Sequence, residues 1–138
     1  MLSFAMLLSC KTPDQLSLPA GSEQQPDIIL VSIDTLRADH LGSYGYHRDT
    51  APFIDRLAAS GVRYHWARSA SPWTLPAHTT MFTGQLPATH HIVDDSVSLS
   101  STEPVLPSLL QSAGYTTGGF VSTLYVSSVF GFERGFDH

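Results

Sequence analysis

A chain of 138 residues with 42% hydrophobic and 14% charged residues has the material for one modest domain with a usable core, and is too apolar for an extended disordered polymer. Its formal net charge is −5 with seven histidines set aside, so no basic stripe exists to neutralise a phosphate backbone, and nucleic-acid partners are disfavoured. The single cysteine, Cys10, rules out an internal disulfide. The partners to expect are small or neutral.

Residues 1–8 are apolar apart from Ser3 and too short to span a bilayer, which takes about 20 residues. Leu7-Leu8-Ser9-Cys10 resembles a bacterial lipobox, in which the chain is cut before the cysteine and the thiol is lipidated. The basic residues that usually precede such a segment are missing, and Cys10 can equally be an incidental residue of a tail. Residues 1–10 are thus a candidate lipoprotein signal segment. Residues 11–26 turn to Pro, Gln, Ser, Asp and Gly without apolar periodicity, a disordered tether able to lift a domain off a membrane. The domain itself occupies residues 27–138.

Residues 27–33 (DIILVSI) are nearly continuous in branched apolar side chains, the pattern of a strand covered on both faces in a parallel sheet. Asp34 follows at the carboxyl end, where ligands collect in open α/β sheets; it can reach a metal or substrate there, or serve as a turn or cap aspartate. Residues 36–46 (LRADHLGSYGY) read as a loop whose Arg37, Asp39 and His40 are binding candidates, or a local ion pair. Asp49-Thr50 can cap a helix over residues 51–60, with Pro52 in its first turn and Gly61 as a left-handed stop. Phe53, Ile54, Leu57 and Ala58 would give that helix its buried face. Residues 62–67 (VRYHWA) alternate and predict a short strand, with His65 on its surface.

Residues 69–84 (SASPWTLPAHTTMFTG) carry a hydroxyl (Thr74), a helix-starting proline (Pro76), an imidazole (His78) and a Thr83-Gly84 stop, with Trp73 shielding the approach. The first amides of a helix have no intrahelical partner and lie at its positive end, so an anionic ester would be stabilised where Thr74 sits. Thr74 can equally be an ordinary N-cap, bonding forward to the backbone. His90, His91, Asp94 and Asp95 cluster in residues 87–99 and suggest a metal site, but neighbours in sequence do not share a face, which favours a solvated loop. Leu106, Leu109, Leu110 and Ala113 mark another amphipathic helix stopped by Gly114, and residues 115–122 (YTTGGFVS) another strand in which Gly118-Gly119 permits close neighbours.

Taken in order, DIILVSIDTLRADHLGSYGY, TAPFIDRLAASGVRYHWARSASP, the Thr74 segment, LPATHHIV, LPSLLQSAGYTT and GFERGFDH resemble the N-terminal part of the sulfatase family, within the alkaline phosphatase superfamily, over about residues 26–138. The resemblance implies a large α/β sandwich around a mostly parallel sheet, of which only the N-terminal part is present. It also implies a divalent metal (calcium, zinc or manganese) held by carboxylates beside a nucleophile. By that implication Asp34 is a metal ligand, Thr74 the nucleophile and a metal ligand, and His78 a group near the transferred anion. The expected substrate is a small-molecule or glycan ester, and the expected location is extracytoplasmic, with membrane contact only through a lipid on Cys10.

Two departures sharpen the expectation. Sulfatases in the narrow sense carry Cys or Ser in C/S-x-P-x-R, which matures to formylglycine; here the segment reads Thr74-Leu75-Pro76-Ala77-His78, and a Lys-x-His that would fall near Ser122 and Leu124 is missing. Thr-x-Pro-x-His looks like the superfamily's phosphodiesterases and phosphotransferases, whose hydroxyl attacks phosphorus. The chain also stops before the remaining metal ligands of such enzymes, so it is expected to be the first part of a longer protein and inactive alone. The leading expectation is a metal-dependent hydrolase of sulfuric or phosphoric esters. Its rivals are a phosphodiesterase or phosphotransferase with a Thr nucleophile, and an inactive truncated surface domain.

Overall fold

The computed structural model describes residues 25–138, which fall into two units, one ending at Ile33 and one running Asp34–His138. Cys10 and the tether up to residue 24 lie outside the described residues. In the first unit, residues 25–33 form no regular element, and Ile28, Ile29, Leu30, Val31 and Ile33 are 49–85% exposed. The expected buried strand is therefore corrected. A central parallel strand owes both its hydrogen bonds and its burial to flanking strands and helices, and apolar sequence alone supplies neither.

The second unit contains four α-helices among the described residues: α1 (Pro52–Ser60), α2 (Thr74–Thr83), α3 (Pro87–His90) and α4 (Leu106–Ser112). Short 3₁₀ turns at Ala38–His40, Gly42–Tyr44, Leu124–Val126 and Ser128–Phe130 complete its regular structure. No β-strand occurs among the described residues, so the α/β sandwich with a mostly parallel sheet is not formed in them, and residues 62–67 and 115–122 are irregular. The second of these segments comes nearest to pairing. The Asp137 amide donates to the Thr117 carbonyl at 2.9 Å and the Gly119 amide to the His138 carbonyl at 3.0 Å, two bonds that stop short of a ladder. Gly119 does permit the close approach read from its sequence, since a Cβ there would meet the Phe136 ring at 3.2 Å.

Packing centres on α2. Leu75 is wholly buried and joins Ile92, Leu99, Val105, Val126, Phe130 and Phe132 in one apolar cluster, against which Trp73, Phe82 and Tyr125 pack. Edge-on ring pairs, Trp73 on Tyr125 at 5.5 Å and Phe82 on Phe132 at 5.3 Å, tie the two ends of α2 to the C-terminal turns. Each such pair adds about 0.5–1.5 kcal/mol beyond its buried area. Arg134 closes the cluster from outside, its guanidinium donating to the Ser101 and Glu103 carbonyls at 3.1 and 2.7 Å. Gly84 ends α2 in the left-handed region at φ 71°, its amide on the Thr80 carbonyl at 2.8 Å, as its sequence predicts.

Helix α1 departs from expectation. It forms over the expected span, yet it contributes no buried residue, and Phe53 and Leu57 are 78% and 72% exposed. The Arg56 guanidinium covers the Phe53 ring at 4.3 Å, and the inward side carries Asp55, whose carboxylate accepts the Ser43 amide at 2.6 Å. Its expected caps also differ. Ala51 is the N-cap, Thr50 donates instead to the His40 carbonyl at 2.5 Å, and Gly61 is extended at φ −123°. Helix α4 spans close to its expected range and stops before Gly114 at φ 92°, but Leu109 faces outward at 58% exposure while Val105 and Pro107 are buried.

Leu75→Ala is expected to lower unfolding free energy by about 2–5 kcal/mol, because it leaves a cavity under α2. Leu57→Ala, on the exposed face of α1, is expected to stay within about 0.5 kcal/mol of the parent. Urea denaturation followed by circular dichroism measures both.

Candidate active site

The start of α2 joins a buried core to an outward-facing polar pair. Trp73 is the N-cap and makes no side-chain cap bond, so Thr74 is the first helical residue rather than the cap that its sequence allowed. Its hydroxyl turns outward and donates to Asp34 Oδ2 at 2.9 Å, joining residues 40 positions apart. The other carboxylate oxygen, Oδ1, accepts the Thr35 amide at 3.1 Å. Both oxygens of Asp34 are thereby oriented. Thr35 sits at φ 56°, a left-handed conformation that costs a β-branched residue roughly 1–2 kcal/mol. Strain of that kind persists where surrounding structure holds it, here in the residue that aims the carboxylate.

The neighbours of Thr74 on α2 are fixed by side chains that reach back one turn. His78 Nδ1 lies 2.8 Å from the Thr74 carbonyl, Thr79 donates to the Leu75 carbonyl at 2.9 Å, and Thr83 donates to the Thr79 carbonyl at 2.7 Å. Thr79 is wholly buried and His78 is 9% exposed, so these bonds satisfy polar groups that water does not reach freely. In the first turn Pro76 has no amide hydrogen, and the Ala77 amide is taken by the Trp73 carbonyl at 3.2 Å. Leu75 is wholly enclosed, so the amide of half-buried Thr74 remains as the turn's donor toward an anion.

The other sequence candidates separate from this constellation. Arg37 and Asp39 form the local ion pair, at 2.6 Å, with both side chains more than 60% exposed, and His40 Nδ1 joins Asp39 at 3.1 Å. The Arg37 guanidinium first, and His40 second, hold the Asp39 carboxyl well below the usual carboxylate range. At that exposure such a pair contributes little to stability. His65 is exposed and meets the Arg63 guanidinium at 3.1 Å. Asp94 and Asp95 are exposed, whereas His90 belongs to the fold rather than to a solvated loop. Its Nδ1 accepts the Ile92 amide at 3.0 Å and its Nε2 faces the Thr80 hydroxyl at 3.2 Å. Sequence reading did not single out that link between α2 and α3, and no periodic signal marks it.

Asp34 and Thr74 offer a carboxylate and a hydroxyl oxygen 2.9 Å apart, the donor type of a hard cation. Among the described residues no group of three or more His, Cys, Asp or Glu converges, so the pair fits one edge of a six- to eight-oxygen shell and does not complete it. No helix among the described residues is long and apolar enough to cross a membrane.

Comparison with known proteins gives the site its context. The sulfatase family profile matches residues 26–138. N-acetylgalactosamine-6-sulfatase of Rattus norvegicus is 31% identical over 112 residues, which cover 72% of this chain and 21% of the relative. N-acetylglucosamine-6-O-sulfatase of Bacteroides thetaiotaomicron is 25% identical over 137 residues, 99% of this chain and 23% of the relative. Ectonucleotide pyrophosphatase/phosphodiesterase family member 3 of Bos taurus is 34% identical over 112 residues, 74% of this chain and 12% of the relative. The chain thus spans about a fifth of the length of the sulfatases it matches. No solved structure matches it.

Burial, and then electrostatic interaction with the neighbouring His91, push the His90 pKa below its ordinary value of 6.5. The unfolded chain then binds the extra proton first, so His90 contributes stability that is fully present above about pH 6.5 and is lost as pH falls toward the lower folded value. The urea midpoint is expected to drop between pH 7.5 and pH 5.5. His90→Asn, which keeps an acceptor for the Ile92 amide without titrating, should reduce that drop.

Proposed function

The chain belongs to the sulfatase family, and on that footing we propose that it carries the nucleophile segment of a metal-dependent hydrolase of sulfate esters, with Thr74 attacking and Asp34 as its carboxylate partner. The family implies an alkaline phosphatase-like α/β fold for the whole enzyme. The observation that carries the reading is the 2.9 Å bond between the Thr74 hydroxyl and Asp34 Oδ2 at the head of a buried helix. A hydroxyl within hydrogen-bond reach of an oriented carboxylate is the geometry of an activated oxygen nucleophile. The hydroxyl proton is directed at Oδ2, while the Thr35 amide holds Oδ1 and so the plane of the carboxylate.

The amide of Thr74 would face the anionic oxygens of the ester, where the helix end favours negative charge. Asp34 and Thr74 would hold the divalent metal. Of calcium, zinc and manganese, calcium suits an all-oxygen donor set, and zinc suits it least. When bound, such an ion supplies electrostatic stabilisation of the transferred anion. The substrate class proposed is a small-molecule or glycan sulfate ester, in line with the names of the rat and Bacteroides relatives. The place of action proposed is extracytoplasmic, with Cys10 as the lipid attachment point.

A second reading has its own support. Threonine is not a formylglycine precursor, and the bovine relative that is 34% identical is a pyrophosphatase/phosphodiesterase by name. On that reading the same hydroxyl attacks phosphorus in a diester.

A longer protein carrying this chain, supplied with calcium, zinc or manganese in turn, is expected to hydrolyse an aryl sulfate. Its kcat should fall by a factor on the order of 10³ or more in Thr74→Ala. Thr74→Ser, which keeps the hydroxyl, should retain most turnover. A higher kcat/KM on an aryl phosphodiester would select the second reading, and an unchanged rate in Thr74→Ala would remove Thr74 from the mechanism.

A further inference from the structure

We propose that His78 is a positioning residue that locks the Thr74 peptide unit so that the hydroxyl points at Asp34; this rests on the reading of Thr74 as the nucleophile. His78 is 9% exposed, and its Nδ1 lies 2.8 Å from the Thr74 carbonyl oxygen. A carbonyl only accepts, so Nδ1 is the nitrogen that carries hydrogen, and the protein dictates that choice. In a helix the same carbonyl also faces the His78 main-chain amide, so its two lone pairs are engaged from one residue. The result is a peptide plane gripped at the first helical position.

The grip reaches the hydroxyl through covalent geometry. Thr74 is β-branched and has few χ1 rotamers, so fixing the peptide plane after its Cα narrows the directions open to Oγ1. The direction observed places Oγ1 2.9 Å from Asp34 Oδ2. Thr79 and Thr83 make the same backward reach, but with hydroxyls on carbonyls deeper in α2. His78 alone among the three holds the carbonyl of the reacting residue, and does so with a rigid ring. The ring therefore acts through Thr74 rather than on the ester.

The test uses the isotopically labelled 138-residue chain and two substitutions. Asparagine places its amide nitrogen where Nδ1 stands, whereas glutamine extends its donor toward the position of Nε2. Long-range proton–nitrogen correlation of the parent should show hydrogen on Nδ1 of His78. Three-bond couplings from Cγ2 of Thr74 to its nitrogen and carbonyl carbon should report one χ1 rotamer in the parent and in His78→Asn, and averaged values in His78→Gln. Absence of hydrogen from Nδ1 would overturn the proposal. So would single-rotamer couplings in a His78→Gln chain whose circular dichroism remains native. Should that variant fail to fold, averaged couplings in His78→Asn would overturn it equally. No readout requires turnover, so failure here leaves the hydrolase reading standing, and failure of that reading leaves these couplings unchanged.

Discussion

Burial of Leu75 is the constraint on which the rest of the unit depends. The side chain is wholly enclosed, and placing it there stabilises the fold by about 1.5–3 kcal/mol relative to leaving it in water. One residue before it, the helix must turn its next side chain about 100° away. Thr74 consequently stands at the rim, half-buried, with its backbone anchored and its hydroxyl free to face Asp34. A wholly buried side chain and a hydroxyl that faces a carboxylate are adjacent in sequence because a helix separates their directions.

The polar groups around that anchor follow the same economy. A helix this enclosed cannot leave hydroxyls and a ring nitrogen unbonded, since each would cost about 1–3 kcal/mol. Thr79, Thr83 and His78 all turn their donors back onto carbonyls of the preceding turn. Such backward bonds usually bend or loosen a helix slightly. Here they occupy the side of α2 that packing has already immobilised, while the strain at Thr35 lies in the exposed turn that holds the carboxylate.

Local chemistry was legible in the sequence where it is decided locally. Gly84 and Gly114 end their helices in the left-handed region because only neighbouring backbone matters there, and Pro52 marks the first turn of α1 for the same reason. Burial was less legible because it depends on partners. Phe53 and Leu57 repeat at helical spacing, yet α1 turns toward the Gly42–Tyr44 turn through Asp55, and an Arg56 side chain suffices to cover Phe53. The strands fail for a related reason: residues 27–33 and 115–122 have the composition of strands, and composition cannot provide the ladder. The pairing of Asp34 with Thr74 was foreshadowed by the family pattern, but no spacing rule would have placed 40 residues of separation at hydrogen-bond distance. The roles of His78 and His90 depend on which ring nitrogen meets which backbone group, and a sequence does not record that.

The exposed apolar run has a consequence for solubility. Residues 28–33 (IILVSI) combine high β-propensity with no charge and no proline, the composition that stacks into cross-β assemblies when left uncovered. Asp27 and Asp34 flank the run at both ends, and like charges brought into register by stacking would repel. Asp34 thus has two consequences: the carboxylate that receives the Thr74 hydroxyl also puts a charge at the end of the apolar run. Neutralising it would remove a charge that flanks this uncharged apolar hexapeptide.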